Sequence, residues 1–230
     1  MITFAVILGL LPSFAWLIFF LKEDMHPEPK KIIALVFIFG ALSTALAIFL
    51  EIASQNLLKN FSVSQYNFIY FFVLAAIEEI MKFSAAFIVL SKWKKRFLDE
   101  PVDAMIYMIT AAMGFAAAEN IFVVLSNSFN GGGIGEVAGI MTFRFIGATL
   151  LHALSSGVVG YYWAKSLINK NVSGQWLIVK GLVMASLLHT LFNYFILKFN
   201  EILIYPTVFL IIIAFFIFWD FEKLKSTNNE

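Results

Sequence analysis

Glu78 and Glu79 are adjacent carboxylates in an otherwise apolar run, and Lys82 follows them by four and three positions, within reach along one helical face. Two neighbouring carboxylates in a low dielectric cannot both ionise cheaply, so such a pair can hold and pass a proton near neutrality. Glu119 stands four residues after Phe115, and Asn193 four after His189, so each pair shares a helix face. His152 is followed on its own face by Ser155 and Ser156. Cysteine is absent, which excludes a disulfide framework, a thiol nucleophile and a Cys-based zinc site. No Ser-His-Asp or Ser-Lys set lies on matching faces, and Ser84, Ser155 and Ser156 read as helix-contact serines. What remains is water activated by a carboxylate, with neutral imidazoles and an amide to bind a developing oxyanion. That is the chemistry of acyl or peptide hydrolysis. Two histidines and a glutamate also meet the ligand count of a catalytic zinc site. There is no His-Glu-x-x-His, however, and the candidates are spread over four helices. No cofactor is expected, and zinc stays open as the alternative.

The elements that must position these groups are membrane helices. Apolar residues make up 61% of the 230 and charged residues 13%, with 27 phenylalanines and a mean hydropathy of +0.87. A soluble domain averages about half and about a quarter. This chain lacks the polar residues to cover a soluble surface, and its net charge of +1 excludes nucleic-acid binding through bulk electrostatics. A span needs roughly 20 mostly apolar residues. The sequence predicts about seven, at 2–21, 31–51, 67–90, 102–126, 138–164, 176–197 and 202–219. The fold class is therefore all-α, a polytopic membrane bundle forming a single domain over residues 1–230. The first span lacks a basic leader and an A-x-A site before Lys22, so it reads as a retained span, not a signal peptide. The stretch from Ile52 to Tyr66 is too polar to cross and is expected along the interface. The aromatic abundance reads as lipid-facing packing.

Orientation follows from the basic residues. With the N-terminus outside, the inner loops and tail hold Lys22, Lys30, Lys31, Lys92, Lys94, Lys95, Arg96, Lys165, Lys170, Lys180, Lys223 and Lys225, and the outer loops only Lys59 and Lys198. The expectation is N-out and C-in. His26-Pro27-Glu28-Pro29 makes a stiff inner turn, because its prolines forbid helix. Asn130-Gly131-Gly132-Gly133 lacks a following Gly-Lys-Ser/Thr and reads as an outer loop.

An ionisable side chain at the bilayer centre costs at least about 2.5–3.5 kcal/mol on insertion scales. Of the fifteen carboxylates, only Glu78, Glu79 and Glu119 fall inside spans, together with His152, His189, Lys82 and Arg144. At 1.5 Å per residue this set occupies a slab roughly 25 Å deep, from just below the midplane toward the outer surface. Four helices feed one layer, which scattered charges would not do. Lys82 reads as the counter-ion of the glutamates, and Arg144 as an anchor near the outer third of its span. Small residues at Gly114, Ala116, Ala117, Ala118, Gly147, Gly157 and Gly160 allow close helix approach.

Glu78-Glu79-Ile80-Met81-Lys82 resembles the EExxK motif, and Phe115 to Asn120 the FxxxEN motif, of the PrsW family of intramembrane proteases. His152-Ala153-Leu154, and His189 with Asn193, resemble its two later histidine motifs, and the Glu28-Pro29 turn and Asp103 also fit. The similarity runs from about residue 20 to residue 195. The wider group of type II CAAX prenyl endopeptidases and bacteriocin-processing proteins carries His where this chain has Glu119. The resemblance implies a glutamate-dependent intramembrane endopeptidase of a bacterial plasma membrane. Its implied substrate is a single-pass membrane protein, an anti-sigma factor cut first on the extracytoplasmic side in a signalling cascade. It further implies Glu78 as general base with Glu79 as proton-holding partner, roles the two residues can exchange. His189 and Asn193 would stabilise the oxyanion, and His152 and Glu119 would orient groups or relay protons. The rival reading is a proton-coupled transporter with a midplane Glu/His relay. Transporters of that kind show repeats and Gly- or Pro-broken spans, and the sequence has neither.

Overall fold

The computed structural model describes residues 2–91, 94–169, 172–199 and 204–227, and all regular structure among them is helical. Lys92, Lys170, Asn171 and the first two residues of the last expected span lie outside the described residues. Helix α1 covers Ile2–Phe20, α2 Lys30–Asn60, α3 Phe68–Leu90 and α4, a single turn, Lys94–Phe97. Helix α5 covers Pro101–Phe129, α6 Ile134–Arg144, α7 Leu150–Ile168, α8 Gly174–Lys198 and α9 Ile204–Thr227. A π-helical turn, Phe145–Thr149, joins α6 to α7 without a break.

The helix ends follow local chemistry. The Asn67 side chain caps α3 by accepting from the Ile69 amide at 2.8 Å. At the start of α5, Pro101 occupies the first turn and the Asp103 carboxylate accepts from the Glu100 amide at 2.7 Å. The helix ends at Asn130, where Gly131 turns the chain with φ +87°. The inner turn is held by Asp24, which accepts from the His26 and Glu28 amides at 2.9 and 3.2 Å. The Glu28 carboxylate accepts from the Tyr107 hydroxyl, and burial pushes its carboxyl above the ordinary glutamate range despite that bond.

Among the described residues six segments are both long and apolar enough to cross a membrane, against seven expected spans. The difference is α3, whose 23 residues suffice in length but carry Glu78, Glu79 and Lys82 at their centre. Those charges are neutralised inside the protein, with α3 packed between α2 and α8. The stretch from Ile52 is not a separate interfacial segment, because α2 continues through it to Asn60. No Pro or Gly interrupts the helix there, and Glu51 consequently lies within α2 and not at a span end.

Helix α5 is the axis of the bundle and packs against α1, α2, α3, α7 and α9. Its burial in the spanning window reaches 67%, against 22–39% for the other five segments. The approach of α2 to α5 requires two glycines. A Cβ on Gly114 would lie 1.9 Å from the Phe37 carbonyl oxygen, and one on Gly40 2.1 Å from that of Ala111. Not all aromatic residues face lipid as expected. Phe20, Trp163 and Phe221 are buried, and Phe20 stacks on Phe218 and Phe221, tying α1 to α9.

Gly114→Ala should lower stability by about 1–3 kcal/mol through overpacking at this crossing. Thermal unfolding in detergent checks it, with Gly133→Ala as the control, because a Cβ there meets nothing within 4 Å. Equal melting points would refute the close-packing account.

Candidate active site

Glu79 is fully buried at the middle of α3 and carries several hydrogen bonds. One carboxylate oxygen, Oε1, accepts from Lys82 Nζ at 2.9 Å, Ser155 Oγ at 2.9 Å and His189 Nδ1 at 3.1 Å. The other, Oε2, accepts from Ser156 Oγ at 3.1 Å. Four donors from three helices thus satisfy one anion. Lys82, equally buried, lies over the Phe115 ring at 4.9 Å and donates to His152 Nδ1 at 2.7 Å. An ammonium has only donors, so His152 Nδ1 must accept. His152 Nε2 then carries the proton and donates to Glu119 Oε2 at 2.9 Å.

The α5 residues extend the chain of contacts outward. Glu119 pairs with Arg144 Nη2 at 2.9 Å, and Arg144 Nε donates to Asn120 Oδ1 at 2.5 Å. Asn120 in turn donates to Thr149 Oγ1 at 3.2 Å. Arg144, expected as an anchor, is thus an ion-paired member of the cluster. The π turn Phe145–Thr149 follows it directly. Wider winding there accompanies a Trp16 indole that donates to the Phe145 carbonyl at 2.8 Å and stacks on its ring.

Glu78 contrasts with its neighbour. Its Oε2 is buried without a hydrogen-bond partner, 3.5 Å from Lys82 Nζ. It faces both imidazoles, at 3.7 Å from His152 Nδ1 and 3.9 Å from His189 Nε2. With its Nδ1 proton given to Glu79, His189 presents a lone pair at Nε2 toward the same space. The space between these two acceptors has the geometry to take a water as donor to both, an arrangement that would make the water nucleophilic.

These three residues also test for a metal. Glu78, His152 and His189 each offer a ligand atom within 4.8 Å of the others, and the orphaned Glu78 oxygen suits a cation. The set fits, on one condition. The His152 Nδ1 atom is already engaged by Lys82, so a metal ligated there requires the ammonium to withdraw.

The sequence-derived candidates thus converge, with one offset. Glu78, Glu79, Lys82, Phe115, Glu119, Arg144, His152 and His189 form one connected array. Asn193 does not bond to it. It lines an adjacent groove together with Arg144. Ser155 and Ser156, read as packing residues, bind Glu79 directly, and their place on the His152 face was the available signal. Glu51, half-buried on α2, is close enough to interact electrostatically with Glu78, Glu119 and Lys82. Only the unbroken course of α2 reveals it. Trp16 carried no sequence signal.

The profile of the family described as "PrsW family intramembrane metalloprotease" matches residues 28–219. The protein named Protease PrsW of Oceanobacillus iheyensis is 25% identical over 221 residues, 96% of this chain and 94% of the relative. Protease PrsW of Bacillus subtilis is 25% identical over 230 residues, 98% of each chain. Protease PrsW of Clostridioides difficile is 27% identical over 232 residues, 97% of this chain and 91% of the relative. No solved structure matches.

Removing one partner of a buried ion pair costs about 3–5 kcal/mol. Lys82→Met should destabilise the protein by that amount, and adding Glu79→Gln should recover most of it. Denaturant or thermal unfolding of the single and double variants checks the coupling, and additive losses would contradict it.

Proposed function

The chain belongs to the PrsW family of intramembrane proteases, a multi-pass cell-membrane protein acting on membrane-protein substrates, and from that premise we propose that it hydrolyses the peptide bond with a water activated by Glu78. The observation that carries this reading is the partnerless, buried Glu78 Oε2, facing the free Nε2 of His189 at 3.9 Å. Glu78 takes the proton of the attacking water and passes it to the leaving amine. Glu79 acts as the anchor of the array, because its oxygens are already occupied by four donors. Lys82 holds positive charge 3.5 Å from Glu78 and lowers the cost of charge developing beside it. His152 is held in one tautomer between Lys82 and Glu119 and bounds the water site beside Glu78. His189 holds the water, and Asn193, on the groove side, donates its amide to the substrate carbonyl.

Should a metal take part, as the family description has it, Glu78, His152 and His189 are the residues that would hold it. It would then supply Lewis-acid polarisation of the water and the scissile carbonyl. The basic-residue bias supports an N-out orientation, which places the array toward the extracytoplasmic half. With that orientation, the resemblance to the PrsW family supports a first cut in a membrane-spanning anti-sigma factor as the proposed role.

Glu78→Gln should reduce cleavage of a single-pass substrate by about 10²–10⁴-fold at unchanged melting temperature. Undiminished cleavage would remove Glu78 from the mechanism, and proton flux in liposomes without proteolysis would favour the transporter reading. Full activity of protein whose elemental analysis shows less than stoichiometric metal after chelation is the expected outcome for water activated by carboxylate alone. Loss of activity on chelation, restored by zinc, would assign the three residues to the metal.

A further inference from the structure

A groove of about 380 Å³ lies between the π turn, α8 and the start of α9. Its apolar walls include Phe143, Ile146, Gly147, Phe192, Ile196 and Leu210. Phe143, Ile146 and Ile196 are exposed on the flank of the bundle, so the groove opens sideways. Its polar members include Arg144 and Asn193. Arg144 ties the groove to the array through Glu119 at 2.9 Å, and Asn193 lies one helical turn beyond His189. The Asn193 side chain is half-buried and makes no hydrogen bond with any described residue.

That combination favours one class of occupant. A side-chain amide offers two donors and an acceptor, the complement of a peptide group. Half-buried in a groove that opens toward lipid, it would lack the water that satisfies an amide at a soluble surface. A lipid tail would fill the walls and leave that lack in place. A wound transmembrane helix presents no free backbone groups, but the stretch around a bond about to be cut must unwind. Its released N–H and C=O groups then find no partners in hydrocarbon.

We propose that this groove receives the unwound stretch of substrate adjoining the scissile bond. In it the backbone pairs with Asn193, and apolar substrate side chains lie against Phe143, Ile146 and Ile196. The substrate specified in this way is a membrane segment with a weakly helical step flanked by aliphatic or aromatic residues. This inference rests on the protease reading. It adds to that reading the route by which the peptide reaches Glu78.

The test uses the full-length protein in liposomes and a synthetic transmembrane peptide of about 20–25 residues with a Gly-Gly step in its outer half. Cleavage of that peptide by the unmodified protein is the first measurement, and its absence would count against the protease reading itself. A photoreactive phenylalanine analogue is then placed at Ile146, at Ile196 or, as control, at Ile88, which is 58% exposed on α3. In a Glu78→Gln background the two groove positions should cross-link the peptide at least about tenfold more than Ile88, with adducts mapping next to the Gly-Gly step. With Glu78 intact, Ile196→Trp should raise KM about tenfold and leave kcat within about twofold. Equal cross-linking at all three positions, adducts to lipid alone, or an unchanged KM in Ile196→Trp protein of normal melting temperature would each overturn the groove assignment.

Discussion

A charge can remain inside this bundle only if other charges and dipoles of the protein replace the water it has lost. Taking an ion pair out of water costs several kcal/mol per ion after relaxation, and mutual attraction offsets that only when the remaining lone pairs and protons are also satisfied. Glu79 and Lys82 meet the condition together. The carboxylate takes the lysine, two serines and an imidazole, and the lysine spends a second donor on His152. Helix α3 becomes compatible with a membrane interior only through α7 and α8. The assembly of those three helices and the neutralisation of the pair are one event.

The same constraint separates two chemically identical neighbours. Glu79 is saturated with donors and Glu78 is not, although one peptide bond lies between them. Donors on both oxygens fix a carboxylate in place, whereas an oxygen without a donor is open to a further partner. The rigid member holds the imidazoles in position, and the open member faces the space they enclose. This division also explains why the two accounts of the reaction, water on carboxylate and water on metal, compete for the same three side chains. Lys82 sits at the branch point, since its bond to His152 exists in one account and is broken in the other.

Much of this was legible in the amino-acid order. Helical spacing placed Lys82 beneath both glutamates and Phe115 beneath Glu119, and depth counting put four helices into one layer. Each of these readings needs only the rise and period of a helix. Other features depend on how helices cross, which spacing does not encode. Ser155 and Ser156 have the composition of packing residues until α3 is laid against α7. Arg144 read as an anchor in the layer, and its pairing with Glu119, 25 positions earlier on another helix, is set by how the helices cross. Glu51 was obscured by the polarity of the residues after it, which suggested that α2 stops where it continues. The π turn and its Trp16 contact lie further still from the sequence, because an inserted residue per turn has no signature apart from its surroundings.

The central position of α5 bears on how the protein is made. Its Asp103, Thr110 and Asn120 are buried, and Glu119 is part of the array, so the helix is poorly suited to stand alone in lipid. Helices α1 to α3 emerge from the ribosome before it and can shield one flank. The partners of its other flank, α7 and α9, are synthesised only afterwards. During that interval the half-covered segment needs temporary shelter, whether at the translocation machinery or beside an insertase. Biogenesis of this protein is therefore most exposed to failure when its innermost helix has left the ribosome and the last two enclosing ones have not.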